Sequence, residues 1–433
     1  MAVLRLEERN LASKGGFGVN HGRQPEFTRV LSCGKKVILD SPAFLYAPPS
    51  IPALLAALRS DKLEKLPSGL VIGLSQLEDF RNAAQNGEPG LEKLADLPVF
   101  FDPEPELIFR SDSHDAGEFE DTIQSLASSS LRAMQRFGGL DRKKSGIFKG
   151  LKHCGDFLEA SLMTQAAANA TMLLPITPPV NSDNRDSVDF AIALNERAVR
   201  TMEPTPVEPF GVGYFFALER SALSTAAFRW GLEQFMFESE TNRPDSGLNP
   251  HLLVIKLLKA DSYKSDELLG LRDLLKTLNK IRRTNAFTTI VLGAHEGGPL
   301  LLSEGFDGFA EGGGWRREGF TPYLWTGESE KIMGYCDRKS AARLFERNGY
   351  AYPCSQRCCL HRQGVHPDQI PENDWHEDSE IHLINVRMNL VSALRAATVP
   401  ERRRWLMRQF SSAVTGSKYL AWVGEYPSAS EAY

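Results

Sequence analysis

The sequence lacks several features that would assign a protein to a class at once. No run approaches the ~20 consecutive apolar residues that a membrane-spanning helix needs, so we expect no membrane span. No G-x-G-x-x-G or Walker sequence opens any predicted helix, which leaves a phosphate-binding loop without support. The N-terminus carries charges where a signal peptide needs an apolar core, which predicts a cytoplasmic protein.

The chain also lacks a strong excess of either charge. Its net charge of −5 does not favour a nucleic-acid binder, but a local basic face is sufficient for binding. Three basic clusters could form such a face: Lys280–Arg283, Arg316–Arg317 and Arg402–Arg404. We expect Arg316 and Arg317 to contact phosphate, because the planar fork of arginine matches phosphate oxygens.

Short apolar runs alternate with helical segments between residues 36 and 312. The predicted strands are 36–39, 69–74, 98–101, 171–176, 210–216, 252–258, 288–292 and 308–312. Such alternation predicts a parallel sheet with helical crossovers. Seven or eight strands favour an α/β fold of the (β/α)8 TIM-barrel type, with an open doubly wound sheet as the alternative.

The 433 residues exceed one small module, which predicts a large barrel with an appendage or several domains. We divide the chain into an N-terminal lead-in over 1–30, a (β/α)8 catalytic barrel over 31–330, and a zinc-binding and C-terminal helical region over 331–433.

The C-terminal region contains a cluster that suggests a metal site. Cys354, Cys358 and Cys359 fall within six residues, and His382 follows further along. Thiolates and imidazole are the ligands of structural zinc, which binds four of them in a tetrahedron. His361 or the remaining cysteine is the alternative for the fourth ligand, and ordinary reduced cysteines on a loop are the alternative to a zinc site.

Several patches together resemble one known family. The chain reads Val291-Leu292-Gly293 and, after a short helix, Gly305, Asp307 and Phe309 in a Gly-x-Asp-x-Phe pattern. Ser41-Pro42-Ala43-Phe44 is similar to a T-P-A-F motif near the N-terminus. Cys354 and Cys359 match the outer cysteines of a C-x-C-x-x-C zinc motif, and His382 lies 23 residues past Cys359. In this order and spacing the patches resemble the tRNA-guanine transglycosylases.

The resemblance implies a barrel enzyme with a structural zinc that exchanges guanine in nucleic acid for a 7-deazaguanine base. It implies tRNA as substrate in preference to DNA, and a homodimer or heterodimer as the assembly. Arg316 and Arg317 fit the arginines that follow the nucleophile in the family, and Gly293 falls in a substrate-binding turn. The resemblance has three departures. Ala310 occupies the position of the nucleophilic aspartate, and Glu311 follows it. Gln356 replaces the middle cysteine of the zinc motif, and Gly73-Leu74-Ser75-Gln76, the nearest candidate for the family's D-S-G-G-F-Q loop, lacks the catalytic acid of that loop.

Base exchange needs a carboxylate near C1′ and a group that manages the proton on the base. In a barrel such groups project from the carboxyl ends of strands. We predict Glu311 as the reactive carboxylate and Asp102, which follows a strand and precedes a proline, as the second catalytic acid. Glu219 is predicted to hydrogen-bond the base. A turn-forming role for Asp102 and a solvated loop position for Glu311 are the alternatives.

The departure at Ala310 leaves three functions open. The first is the exchange enzyme. The second is a catalytically inactive, transglycosylase-like subunit that binds tRNA for an active partner. The third is an unrelated metal-dependent or lyase barrel that is similar in fold only.

Overall fold

The chain is described here from a computed structural model. The described residues are 39–105, 158–180, 185–201, 212–219, 222, 230–235, 252–258, 288–293, 298–312, 346, 365–398 and 400–405, without 160 and 304, together with the short strands Glu26–Thr28 and Lys36–Ile38. The predicted helices near 122–137 and 266–283 lie outside these residues.

A curled, parallel, seven-stranded sheet forms the centre of the described structure. Its strands lie in the order β5-β4-β3-β9-β8-β7-β6. Their bounds are β3 Ala43–Tyr46, β4 Gly69–Gly73, β5 Val99–Asp102, β6 Tyr214–Leu218, β7 Leu252–Leu257, β8 Thr288–Leu292 and β9 Gly308–Glu311. The predicted α/β class with a parallel sheet is confirmed.

The prediction for residues 36–39 is wrong for this sheet. Lys36–Ile38 (β2) pairs antiparallel with Glu26–Thr28 (β1) in a separate two-stranded sheet. The first strand of the large sheet is instead β3, which lies between β4 and β9 and pairs parallel with both. All four residues of β3 are buried, as expected for a central parallel strand.

Side chains alternate between the two faces of each strand, which produces two apolar clusters. The inner cluster contains Leu45, Val71, Phe100, Val254 and Ala310. The outer cluster contains their neighbours in sequence, such as Tyr46, Ile72 and Phe101, packed together with helical residues. Because both faces are apolar, the strands appear in the sequence as continuous hydrophobic runs.

The segment 171–180 forms hydrogen bonds with both edges of the sheet. The N–H of Thr171 donates to the carbonyl oxygen of Val99 on β5 at 2.8 Å. On the other edge, Leu173 forms a parallel bridge with Val212, and Val180 forms one with Leu218 of β6. This segment therefore contacts the first and the last strand of the sheet.

The helices with described bounds are α1 Ile51–Arg59, α2 Leu77–Gln85, α3 Arg185–Thr201, α4 Gly298–Ser303 and α5 Glu372–Arg395. Short 3₁₀ turns cover Leu74–Gln76, Leu91–Leu94 and Pro367–Gln369. Ser50 caps α1, since its side chain accepts a hydrogen bond from the N–H of Ala53.

The long helix α5 packs on β3 and α1, and polar contacts accompany its buried apolar residues. Tyr46 on β3 donates to Glu380 at 2.8 Å, and Lys62 pairs with Asp378 at 2.7 Å. Asn385 donates to the carbonyl oxygen of Lys62 and accepts from the N–H of Glu64. These contacts fix α5 against the helix-facing side of the sheet.

Candidate functional site

Asp102 and Lys256 form a buried ion pair at the carboxyl edge of the sheet. The Lys256 Nζ donates to the Asp102 Oδ2 at 2.7 Å, and the two side chains are 9% and 8% exposed. Asp102 is the last residue of β5, and Lys256 is the next to last residue of β7. Asp102 comes two residues after Phe100, and Lys256 two residues after Val254, and both of these earlier residues belong to the inner cluster. Because residues two apart on a strand share a face, Asp102 and Lys256 both project from the inner face.

The turn after β5 holds the Asp102 carboxylate from its other side. The N–H of Glu104 donates to Asp102 Oδ1 at 3.0 Å, and Glu104 has a left-handed φ of 48°. Pro103, which has no N–H to donate to a sheet, ends the strand. Glu104 Oε2 in turn accepts from the N–H of Ser75 at 2.8 Å, so the turns after β4 and β5 are joined.

This arrangement places a carboxylate and an ammonium group where α/β proteins hold their ligands. In parallel sheets the carboxyl ends of the strands form the ligand-binding edge. An ion pair that is nearly removed from water is costly unless its geometry is good. The pair can stabilise a developing positive charge through Asp102 and deliver a proton through Lys256.

The sequence reasoning missed Lys256. The sequence does contain a sign of its role: Lys256 is the single cation inside the hydrophobic run Leu252–Leu258, and a buried lysine needs a partner of opposite charge. Asp102 was predicted as a site residue from its position between a strand and a proline. The structure brings Asp102 and Lys256 together.

Glu219 and Gly293 lie at the same edge of the sheet as Asp102. Glu219 directly follows β6 and is half-buried, and its N–H donates to the carbonyl oxygen of Val180. Gly293 directly follows β8 with a φ of 70°, and a Cβ there would overlap the carbonyl oxygen of Leu257. A glycine is therefore required at 293 by the backbone itself.

Glu311 lies apart from the Asp102–Lys256 pair, because its side chain is turned to the helix-facing side of the sheet. It forms a bidentate pair with Arg387 of α5, with Nε to Oε2 at 2.5 Å and Nη2 to Oε1 at 3.1 Å. The side chains of Arg387 and Glu311 are 0% and 1% exposed. Ala310, one residue earlier, faces the inner cluster, so Glu311 must face the helices.

The Gly-x-Asp-x-Phe match has a structural explanation. Asp307 Oδ2 accepts from the N–H of Thr289 at 2.8 Å, and its Oδ1 accepts from Ser41. Phe309 packs on Phe44 with ring centroids 5.6 Å apart. These contacts join β9 to β8 and β3 near the amino ends of the strands, opposite the edge that holds Asp102.

The predicted metal site is described at one ligand only. His382 lies in α5 and is 1% exposed. Cys354, Cys358 and Cys359 lie outside the described residues. Within the described part of the chain, no group of three or more His, Cys, Asp or Glu side chains could hold a metal ion.

The basic clusters are described in part. Arg316, Arg317 and Lys280–Arg283 lie outside the described residues. Arg402 donates to the carbonyl oxygens of Leu394 and Ala397 at the end of α5, and Trp405 packs against the outer cluster. Arg402 therefore caps a helix, which is a structural use of an arginine.

Among the helices that are described, none is long and apolar enough to cross a membrane. No family model, no curated protein and no solved structure matches the chain.

Proposed function

We propose that the parallel sheet closes into a (β/α)8 barrel in which residues 171–180 supply the missing strand. The hydrogen bond of Thr171 to β5 and the bridges of Leu173 and Val180 to the β6 side support this closure. With this segment the strands follow the chain order once around the ring, as in TIM-type barrels. The inner cluster then becomes the barrel interior.

We propose that the protein exchanges a guanine base in nucleic acid at the carboxyl end of this barrel. The observation that carries the proposal is the buried Asp102–Lys256 pair at that end. An oxocarbenium-like transition state needs a nearby carboxylate, and a departing base needs a proton. Base exchange rather than another glycosidic reaction follows from the resemblance to the transglycosylases alone.

In this mechanism Asp102 has the carboxylate role that the sequence analysis gave first to Glu311. An Asp102 oxygen attacks C1′, the C1′–N9 bond breaks, and its electron pair leaves with guanine, which takes a proton from the Lys256 ammonium. The incoming 7-deazaguanine returns a proton to Lys256 and displaces the carboxylate at C1′. Electrons and protons balance over the two steps without a redox cofactor.

Glu219 and Gly293 complete the proposed base pocket, since each directly follows the carboxyl end of a strand of the sheet. Arg316 and Arg317 stay predicted phosphate contacts.

A second function is favoured by one specific residue. Ala310 projects toward the inner cluster from the strand whose end carries the nucleophile in the family it resembles. A methyl group there cannot attack C1′, which favours a catalytically inactive subunit that binds tRNA for an active partner.

One assay separates the two functions. Purified protein is incubated with tRNA and labelled guanine, and the Asp102→Asn and Glu311→Gln variants are compared at equal folded fraction. Incorporation that is lost in Asp102→Asn and retained in Glu311→Gln supports the enzyme. Salt-sensitive tRNA binding without incorporation supports the subunit.

The remaining assignments are proposals that follow from the sequence. We propose a structural zinc bound by His382 and the cluster Cys354, Cys358 and Cys359. The identity of the 7-deazaguanine, the choice of tRNA over DNA, the cytoplasmic address and the homodimer or heterodimer stay predictions.

A further inference from the structure

Gln76 carries a buried acceptor atom that has no hydrogen-bond partner among the described residues. The residue lies in the 3₁₀ turn Leu74–Gln76 and is 8% exposed. Its Nε2 donates to the carbonyl oxygen of Pro49 at 2.6 Å. Its Oε1 is buried and accepts no hydrogen bond from any residue that the structure describes. Buried side-chain acceptors in folded proteins are rarely left in this state, so the residue requires an explanation.

The contact with Pro49 fixes which atom of the amide is open. A carbonyl oxygen can only accept, so the NH₂ group of Gln76 must face Pro49. The open atom is therefore the oxygen, which needs an N–H or O–H donor. A phosphate or carboxylate group, which offers acceptor atoms, does not fit this position.

The turn that holds Gln76 is joined to the candidate site. The N–H of the preceding residue, Ser75, donates to Glu104, and the N–H of Glu104 donates to Asp102. Gln76 therefore follows the carboxyl end of β4 beside the turn that orients the Asp102 carboxylate. A ligand that reaches Asp102 over the ends of β4 and β5 therefore lies near the turn that carries Gln76.

We propose that Gln76 Oε1 is a specificity-determining contact that accepts a hydrogen bond from an N–H of the bound base. This inference rests on the proposed function, since guanine and its 7-deaza relatives carry N1–H and the exocyclic amino group on one edge. It assigns to that edge a partner that the sequence analysis did not.

The chain offers a matched control in Gln165. That glutamine is also buried, but both of its amide atoms are used: Nε2 donates to Leu174 at 2.8 Å and Oε1 accepts from Leu174 at 2.9 Å. Replacement of Gln165 by methionine removes structural hydrogen bonds only. Replacement of Gln76 by methionine removes the open acceptor together with the Pro49 contact.

The experiment measures the affinity of the full-length protein for labelled guanine and hypoxanthine by equilibrium dialysis. We expect Gln76→Met to bind guanine about tenfold more weakly, which corresponds to ~1.4 kcal/mol. Gln165→Met should lower the thermal midpoint and leave the guanine affinity of the folded protein unchanged. Gln76→Glu, which keeps an acceptor and loses the donor to Pro49, should retain more guanine affinity than Gln76→Met.

Each outcome decides the assignment. If Gln76→Met loses affinity for guanine alone, the contact is with the exocyclic amino group, which hypoxanthine lacks. If it loses affinity equally for both bases, the contact is with N1–H. Both results uphold the proposal. Unchanged guanine affinity in Gln76→Met, or equal losses in Gln76→Met and Gln76→Glu, overturns it. No base binding by the wild-type protein overturns the base pocket as a whole, whereas binding without incorporation into tRNA overturns the exchange reaction and leaves the Gln76 contact standing.

Discussion

The pair between Glu311 and Arg387 permits a quantitative test of how β9 is oriented. Both side chains are essentially inaccessible to water, and two hydrogen bonds join them. Removal of one partner leaves an uncompensated buried charge, which costs about 3–5 kcal/mol. We expect Arg387→Met to lower the free energy of unfolding by that amount. The double variant Glu311→Leu/Arg387→Met should lie within about 1–2 kcal/mol of the wild type, since an apolar pair of similar volume replaces a buried ion pair at little cost.

Urea unfolding followed by tryptophan fluorescence measures these differences. An unchanged m-value shows that the variants expose the same surface on unfolding as the wild type, so that their free energies can be compared. The exposed pair Arg59–Glu88 is the matched control, with side chains 45% and 38% exposed. Arg59→Met should cost less than about 1 kcal/mol, because exposed pairs contribute little. If Arg387→Met costs no more than Arg59→Met, or if the double variant costs the sum of its single variants, Glu311 does not face α5 as described.

Three further predictions follow from the described contacts. Gly312→Ala should destabilise the protein by about 3 kcal/mol, because a Cβ there overlaps the carbonyl oxygen of Ala47. The control Gly87→Ala, at a residue with φ 64° and open space around it, should cost about 1 kcal/mol. Equal costs in urea unfolding would contradict the close approach of β9 to the end of β3. Lys256→Met should lower the rate of base exchange at least about 100-fold, because it removes the proton donor and leaves Asp102 unpaired; a rate within a few-fold of the wild type in the labelled-guanine assay would remove Lys256 from the mechanism. Metal analysis of freshly purified protein should give about one zinc per chain, reduced in His382→Ala, and less than about half an equivalent in the wild type counts against the site.

The sequence predicted the sheet well because its strands are buried on both faces. The strand predicted at 288–292 agrees with Thr288–Leu292, and the run at 252–258 agrees with Leu252–Leu257 to one residue. Continuous apolar runs of this length are the signature of parallel strands, so little tertiary information was needed. β3 was not predicted as a strand, since it spans four residues directly after a proline and was noticed only as part of a motif.

The orientation of Glu311 required information that no local pattern contains. Strand alternation requires Ala310 and Glu311 to face opposite sides, but it does not say which of them faces inward. The pairing of Glu311 with α5 could not be anticipated, because its partner, Arg387, is 76 residues away in the chain. Lys256 was missed for the same reason, because Asp102 is 154 residues away from it. Buried ion pairs of this kind become visible when the strands and helices are assembled.

The most direct test of the central claim is the rate at which labelled guanine enters tRNA in the Asp102→Asn variant relative to Glu311→Gln, with both corrected to equal folded fraction. The account predicts that Asp102→Asn is at least about 100-fold slower than wild type, while Glu311→Gln retains the wild-type rate once its lower stability is taken into account. Loss of exchange in Glu311→Gln with retention in Asp102→Asn would contradict the assignment of the active site to the Asp102–Lys256 pair.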